Sequence, residues 1–266
     1  MKKRVLSAIV MILVFVPILI IGGKWFAGLC TLLAMLGFYE LIHIRESKKK
    51  FPTFIKILGY LFVVFFALNN FDSIEFLYDV NYKVMALIIF AFLAPIVFIN
   101  DNKRYNLNDA LFIMGSVLFI GLSFNLLIIT RNFNINYIIY LLLITTMTDT
   151  FALFTGMLIG KNKLAPLISP KKTIEGAIGG SLIATFVGTM FYITVISHSV
   201  SLVLVIFVTL FLSFVGQVGD LVFSAIKRYY DRKDFSNLIP GHGGILDRCD
   251  SIIFVTLAFI LVLGLI

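Results

Sequence analysis

Apolar runs fill this chain almost end to end. They fall at about residues 5–23, 25–43, 53–70, 84–100, 109–130, 136–160, 174–196, 201–227 and 248–266. A helix that crosses the hydrocarbon core of a bilayer needs roughly 20 mostly apolar residues. The pattern therefore predicts an all-α, polytopic integral membrane protein with about nine transmembrane helices. Composition excludes an ordinary soluble globule. Of 266 residues 60% are hydrophobic and 14% charged, where soluble domains run near half and about a quarter. The 28 Phe and 10 Tyr lie inside Leu/Ile/Val runs without period-two alternation, which argues against an outer-membrane barrel.

The polar segments between these runs are short. The longest, Lys227 to Asp247, is too small for a core of its own. Residues 1–266 thus read as one transmembrane domain, with the chemically interesting segments in about 145–266. No internal repeat is visible, which weakens a transporter built from inverted halves. Cys30 and Cys249 belong to different runs and give no basis for a disulfide framework or a cysteine metal site. Met1-Lys2-Lys3-Arg4 followed by Val5 to Ile21 looks like a signal peptide but lacks a small-residue cleavage site, so it reads as an uncleaved first helix.

Charge orients the molecule. With an odd number of spans the termini lie on opposite faces. All but three of the 22 Lys and Arg residues (Lys24, Lys83 and Arg131) then fall on the N-terminal face. The positive-inside rule makes that face cytoplasmic. The expectation is a multi-pass protein of the cell membrane with a cytoplasmic N-terminus and its chemistry on the cytoplasmic side. The opposite loops are plain: Asp72, Glu75 and Asp79 in one, and Ser197-His198-Ser199 in another.

Three constellations stand out. In the eighth run, Ser213, Gln217, Asp220, Ser224 and Lys227 recur at steps of four, three, four and three, which places them on one helical face. An Asp within an apolar helix costs several kcal/mol unless it is paired or metal-bound, so Asp220 is a functional candidate. The plainer reading is an ion pair made for helix packing. Gly216 and Gly219 flank the row and would let another backbone or a ligand approach.

The second constellation follows directly. Lys227-Arg228 leads through a polar segment to Pro240-Gly241-His242-Gly243-Gly244, then Asp247-Arg248-Cys249-Asp250-Ser251. Glycines at three of four positions permit backbone conformations that present N–H groups to an anion. Asp247 and Asp250, three apart, share a face at the start of the last helix. Carboxylates with waters and phosphates are the usual Mg²⁺ environment. The plainer reading is a solvated basic loop with a helix-start aspartate.

The third constellation joins the sixth and seventh runs. Asp149 precedes Gly156, Gly160, Lys161 and Lys163, and then comes Ser169-Pro170-Lys171-Lys172-Thr173-Ile174-Glu175-Gly176. Ser169 suits an N-cap and Pro170 a first helical position. Lys171 and Lys172 would then oppose the helix dipole unless an anion were bound there. Otherwise they anchor the helix at the interface. Gly176, Gly180, Ala184 and Gly188 recur at every fourth position and read as helix packing. Glu40 reads as snorkelling or pairing with Arg45, and His43 and His198 as interfacial.

Taken together, these segments resemble the phosphatidate cytidylyltransferase family, also called CDP-diacylglycerol synthases. The stretch SAIKRYYDRKDFSNLIPGHGGILDRCD from Ser224 to Asp250, and SPKKTIEG from Ser169 to Gly176, match its two signature elements. One departure is visible: Asp149-Thr150-Phe151-Ala152-Leu153 stands where the family often has Asp-Thr-Gly-Ala-Tyr.

The resemblance implies the reaction of CTP with phosphatidic acid to give CDP-diacylglycerol and pyrophosphate. It makes Asp220 and Asp247 metal carboxylates for Mg²⁺, with room for a second cation. Ser224, Lys227 and Arg228 join them as catalytic residues. Lys171, Lys172, His242, Gly243, Gly244 and Arg248 become phosphate partners, and Asp149, Asp250, Ser213 and Gln217 secondary candidates. CTP, phosphatidic acid and the bilayer are the implied partners, nucleic acid is not, and a homodimer is what the family suggests. Two rivals remain: a cation-coupled transporter using Asp149, Asp220 and Asp247, and a CTP-dependent lipid kinase.

Overall fold

A computed structural model describes residues 2–69 and 82–265, with side chains described from Val5 onward and up to Gly264. The Asp72, Glu75 and Asp79 loop and the side chains of Lys2, Lys3 and Arg4 lie outside the described residues. The chain divides into two compact units: Met1–Phe133 with Asp234–Leu246, and Asn134–Lys233 with Asp247–Ile266.

The first unit holds α1 (Lys2–Ile21), α2 (Gly23–Glu46), α3 (Thr53–Leu68), α4 (Tyr82–Ile99) and α5 (Leu107–Phe133). Helix α5 packs against α2, α3 and α4. Close approach is bought by small residues: a Cβ on Gly121 would lie 2.7 Å from the Phe66 Cβ, and one on Gly59 2.5 Å from the Phe38 ring. Helix α1 ends where Gly22 takes a φ of +68°, a left-handed conformation that glycine adopts without steric cost. Arg131 covers the helix end, donating from Nε to the Leu19 carbonyl (2.8 Å) and from Nη2 to that of Ile20 (2.6 Å). Such carbonyls have no partner within their own helix. Helix α5 starts with a reciprocal cap, the Asn106 side chain accepting from Asp109 N and the Asp109 carboxylate from Asn106 N. Fully buried Asp109 is also paired with Arg45 (2.8 Å) and with Lys49.

The second unit holds α6 (Ile135–Ile159), a hairpin of β1 (Lys163–Ala165) and β2 (Ser169–Thr173), α7 (Ile174–Phe191) with a π turn at 192–196, and α8 (Leu202–Tyr229). It also holds α9 (Leu246–Val262) from Asp247 onward. Strands β1 and β2 are antiparallel, with Lys163 opposite Thr173 and Ala165 opposite Ser169. The small-residue stripe of α7 packs as expected. A Cβ on Gly180 would lie 2.5 Å from the Thr148 carbonyl oxygen, and one on Gly176 2.6 Å from that of Ala152. Tyr140, Ile144, Tyr192, Val205, Leu212, Val255 and Phe259 build the core of this unit.

Nine α-helices lie within the described residues, and six of them are long and apolar enough to cross a membrane: α2, α4, α5, α6, α7 with its π turn, and α8. Helix α3 has 16 residues and α9 has 17, and α1 is apolar over Val5–Ile21. The all-α, multi-pass class stands on the six.

Two local expectations are corrected. Ser169 and Pro170 do not start a helix: they belong to β2, and the helix begins at Ile174 with Thr173 as its cap, accepting from Gly176 N at 3.1 Å. Proline lacks an N–H and is tolerated on an edge strand, so Pro170 suits this short hairpin as well as it would a first helical turn. Lys171 and Lys172 therefore oppose no helix dipole. Gly216 and Gly219 admit neither backbone nor ligand; they take the side chains of Val255 and Phe254 from α9.

Candidate active site

In the second unit the polar row of α8 meets the β2 hairpin, α6 and α9. The upper part of the row joins helices. Ser213 shares hydrogen bonds with Thr148 of α6 (2.7 Å) and Ser181 of α7 (3.0 Å). Gln217 donates from Nε2 to Ser181 Oγ (2.7 Å) and to the Ala177 carbonyl (3.2 Å). Below them Asp220 forms an ion pair with Lys172, and Ser224 donates to Asp220 Oδ1 at 3.4 Å. One turn on, Lys227 Nζ lies 2.7 Å from Asp247 Oδ1, with the two side chains 10% and 5% exposed. That burial matters, because a closely paired charge withdrawn from water is screened far less than a surface pair.

Asp149 of α6 and Asp250 of α9 complete the group. The charge of Asp220 repels both, and Asp149 repels Asp250; Lys172 offsets this at Asp149 and Lys227 at Asp250. The side chain of Ser251 faces Asp149. Lys172 and Lys227 thus face these four carboxylates.

A cavity of about 480 Å³ opens beside this group. Asp149, Lys171, Lys172, Gln217 and Asp220 are among its polar lining, and Leu153, Met157 and Leu164 among its apolar lining. The lining combines charged and apolar side chains. The β2 hairpin presents the two lysines, and three devices hold it. The Glu175 carboxylate accepts from Lys161 N (3.1 Å), Asn162 N (3.2 Å) and Asn162 Nδ2 (2.7 Å). Thr173 sits in a pocket made by Gly156, Gly160 and Gly176, where any added Cβ would come within 3 Å of its hydroxyl. Arg228, exposed at the end of α8, donates to the Ile168 carbonyl (3.3 Å) and the Arg232 carbonyl (2.7 Å). Arg248 is exposed.

The glycine loop belongs to the first unit. Ile239-Pro240-Gly241-His242 is a tight turn, with His242 N donating to the Ile239 carbonyl (2.9 Å) and Gly241 at φ +80°. Proline then glycine at the central positions is the type II signature. Ser7 of α1 donates to the Pro240 carbonyl (3.1 Å) and lies 2.7 Å from His242 Nδ1. The Ser7 hydroxyl thus meets both the turn carbonyl and the imidazole.

Glu40 is the residue that sequence reasoning misread. It is 0% exposed and does not pair with Arg45, which is engaged with Asp109. Its carboxylate accepts instead from Ser236 Oγ (2.6 Å), Ile245 N (2.8 Å) and Leu246 N (2.9 Å). The N–H groups after the glycines do face an anion, and it is the protein's own. Nothing local to Glu40 signals this, since its partners lie about two hundred residues away. His43 stacks on Tyr39 with ring centroids 5.5 Å apart, and His198 bonds the Ile193 carbonyl; both are local contacts.

The fold and this site define a class: a multi-pass helical membrane protein with a cavity lined by carboxylates, lysines and apolar side chains. Sequence comparison places it more narrowly. The chain belongs to the cytidylyltransferase family, whose model matches residues 2–266. It is 37% identical over 256 residues to a phosphatidate cytidylyltransferase of Staphylococcus haemolyticus, covering 96% of each chain. It is 38% identical over 255 residues to that of Staphylococcus epidermidis and 36% over 256 residues to that of Staphylococcus aureus, again with 96% of each chain covered.

Proposed function

We propose that this protein transfers the cytidylyl group of CTP to phosphatidic acid, releasing pyrophosphate and forming CDP-diacylglycerol in the cell membrane. The observation that carries the reading is the second unit's cavity. It sets Lys171, Lys172 and Asp220 beside Leu153, Met157 and Leu164, matching a substrate that is an anion at one end and a hydrocarbon at the other.

The chemistry needs little proton transfer. A phosphomonoester loses its second proton near pH 6, so the lipid phosphate is already a nucleophile at neutral pH. One of its oxygens attacks the α-phosphorus of CTP, and the bond from that phosphorus to the β-phosphate bridging oxygen breaks. Pyrophosphate departs with the electron pair. The protein's task is to bring two anions together and to neutralise charge on the leaving group. Lys171 and Lys172 on the hairpin, with Lys227 and Arg228 at the end of α8, are the phosphate partners. Ser224 orients Asp220, to which it donates. His242, Gly243, Gly244 and Arg248 carry the same phosphate-contacting expectation from the family motif.

The donor set fits a magnesium ion. Among the described residues no three His, Cys, Asp or Glu side chains converge as an all-protein metal cage. Mg²⁺ is commonly held by one or two carboxylates, with substrate phosphates and water filling the other positions. Asp220 and Asp247 would hold it, and a second cation has Asp149 and Asp250 at hand. When bound, the metal supplies charge neutralisation for the phosphates. Without it, the carboxylates would add their own repulsion to that between the two anionic substrates. The basic face, including the β2 hairpin, is assigned to the cytoplasm.

The test uses purified protein with phosphatidic acid, Mg²⁺ and CTP labelled at either the α- or the γ-phosphate. Transfer moves the α label into lipid and the γ label into pyrophosphate. A lipid kinase would place the γ label in lipid and release CDP, and a transporter would leave CTP intact.

A further inference from the structure

Glu40 lies in α2, far in sequence from every motif that resembles the family signature. Its carboxylate is wholly buried, and its bonds tie both ends of one segment. Ser236 stands near the start of the Asp234–Leu246 loop, and Ile245 and Leu246 close it. A buried carboxylate is retained only with strong compensation. Here that compensation includes the Ser236 hydroxyl and the backbone N–H groups of Ile245 and Leu246. The neighbouring glycine follows from the same geometry. A Cβ on Gly244 would lie 2.3 Å from Glu40 Oε1, so this position must be glycine while the carboxylate is in place.

We propose that Glu40 is a positioning residue for cytidylyl transfer: its carboxylate straps the glycine loop shut and fixes the main chain immediately before Asp247. The proposal rests on the reading that the loop motif and Asp247 serve that transfer. Glu40 touches no substrate. It acts through Leu246, whose N–H it holds and whose chain neighbour is Asp247, and through the loop that carries His242. The Ser7 contacts with Pro240 and His242 hold the tip of the same loop from α1. The N-terminal half of the chain thereby serves as the frame for the motif-bearing loop.

Glu40→Gln keeps the shape but removes the charge, and it turns an NH₂ group toward one of the N–H donors. In full-length protein, purified and shown to be monodisperse, the variant should lose about tenfold or more in kcat/KM for CTP. Glu40→Asp should retain more activity than Glu40→Gln. A merely structural role would lower the yield or the melting temperature yet leave kcat and KM normal in the folded fraction. The second arm tests the geometry itself. Gly244→Ala should be impaired by the collision with Glu40, and adding Glu40→Asp, which shortens the side chain, should restore part of that loss. Wild-type kcat and KM in folded Glu40→Gln would overturn the proposal. Should Glu40→Gln not fold, a Gly244→Ala/Glu40→Asp double variant no better than Gly244→Ala would overturn it. Failure of the functional reading looks different: the wild-type protein itself would form no CDP-lipid.

Discussion

Gly180 offers a sharp test of how α6 and α7 set up the site. Alanine at this position would put its Cβ 2.5 Å from the Thr148 carbonyl oxygen, 2.8 Å from Ala152 N and 2.9 Å from the Ala152 Cβ. Two of those atoms are backbone, so no side-chain rotation relieves the clash and the helices must separate. Overpacking of this kind costs about 1–3 kcal/mol. Replacing glycine by alanine inside a helix returns about 1 kcal/mol. The blocking atoms cannot yield, so the upper part of the range applies and the net loss is about 1–2 kcal/mol. Gly115 of α5 is the control, because an added Cβ there meets nothing within 4 Å. Gly115→Ala should be neutral or stabilising by up to about 1 kcal/mol. Thermal unfolding in detergent reads both, and the expected drop for Gly180→Ala is about 2–8 °C. Activity should fall with it, since α6 carries Asp149 and α7 anchors the hairpin bearing Lys171 and Lys172. A Gly180→Ala protein as stable as Gly115→Ala would refute the packing argument.

Two further expectations concern the lysines and the orientation. Replacing Lys171 and Lys172 together with Gln should raise the apparent CTP requirement or lower turnover without unfolding the protein; wild-type kinetics would return both to interfacial anchors. A reporter fused after Ile266 should lie outside the cytoplasm and one inserted at Lys48–Lys50 inside it, and finding both on one side would contradict nine spans.

Periodicity carried the reading of α8 a long way. Ser213, Gln217, Asp220, Ser224 and Lys227 do project as one row, because a helix repeats every 3.6 residues whatever surrounds it. The ion pair weighed for Asp220 is present, but the partners of the row are not legible in the sequence. Ser213 and Gln217 bond neighbouring helices, Asp220 holds Lys172, and Lys227 holds Asp247. Partner choice depends on which helices pack, and that is not a local property. The stripe from Gly176 to Gly188 was readable as packing for the same periodic reason. The β2 hairpin was not, because a five-residue strand containing proline carries the same local signal as a capped first turn.

Glu40 marks the limit most clearly. From sequence it is an acidic residue near the end of an apolar run with Arg45 five positions on, and a local pair is the economical guess. The folded chain gives Arg45 to Asp109 and Glu40 to a loop about two hundred residues away. His242 is legible as a motif residue, while the Ser7 hydroxyl that meets its ring lies 235 positions earlier. Motif residues identified the candidate chemistry, and the residues that hold them in place came only with the fold.

The proposed function has Asp220 and Asp247 serve one metal-dependent transfer, and it is tested by Mg²⁺-dependent formation of CDP-diacylglycerol in their Asn variants. Asn preserves size but exchanges one acceptor oxygen for an NH₂ donor and removes the charge that binds a cation and pairs with Lys172 or Lys227. Each single variant should insert normally into the membrane and lose nearly all activity. The double variant should be little worse than either, because groups acting as a unit are not additive. Near-normal Mg²⁺-dependent activity in Asp220→Asn or Asp247→Asn would contradict the account.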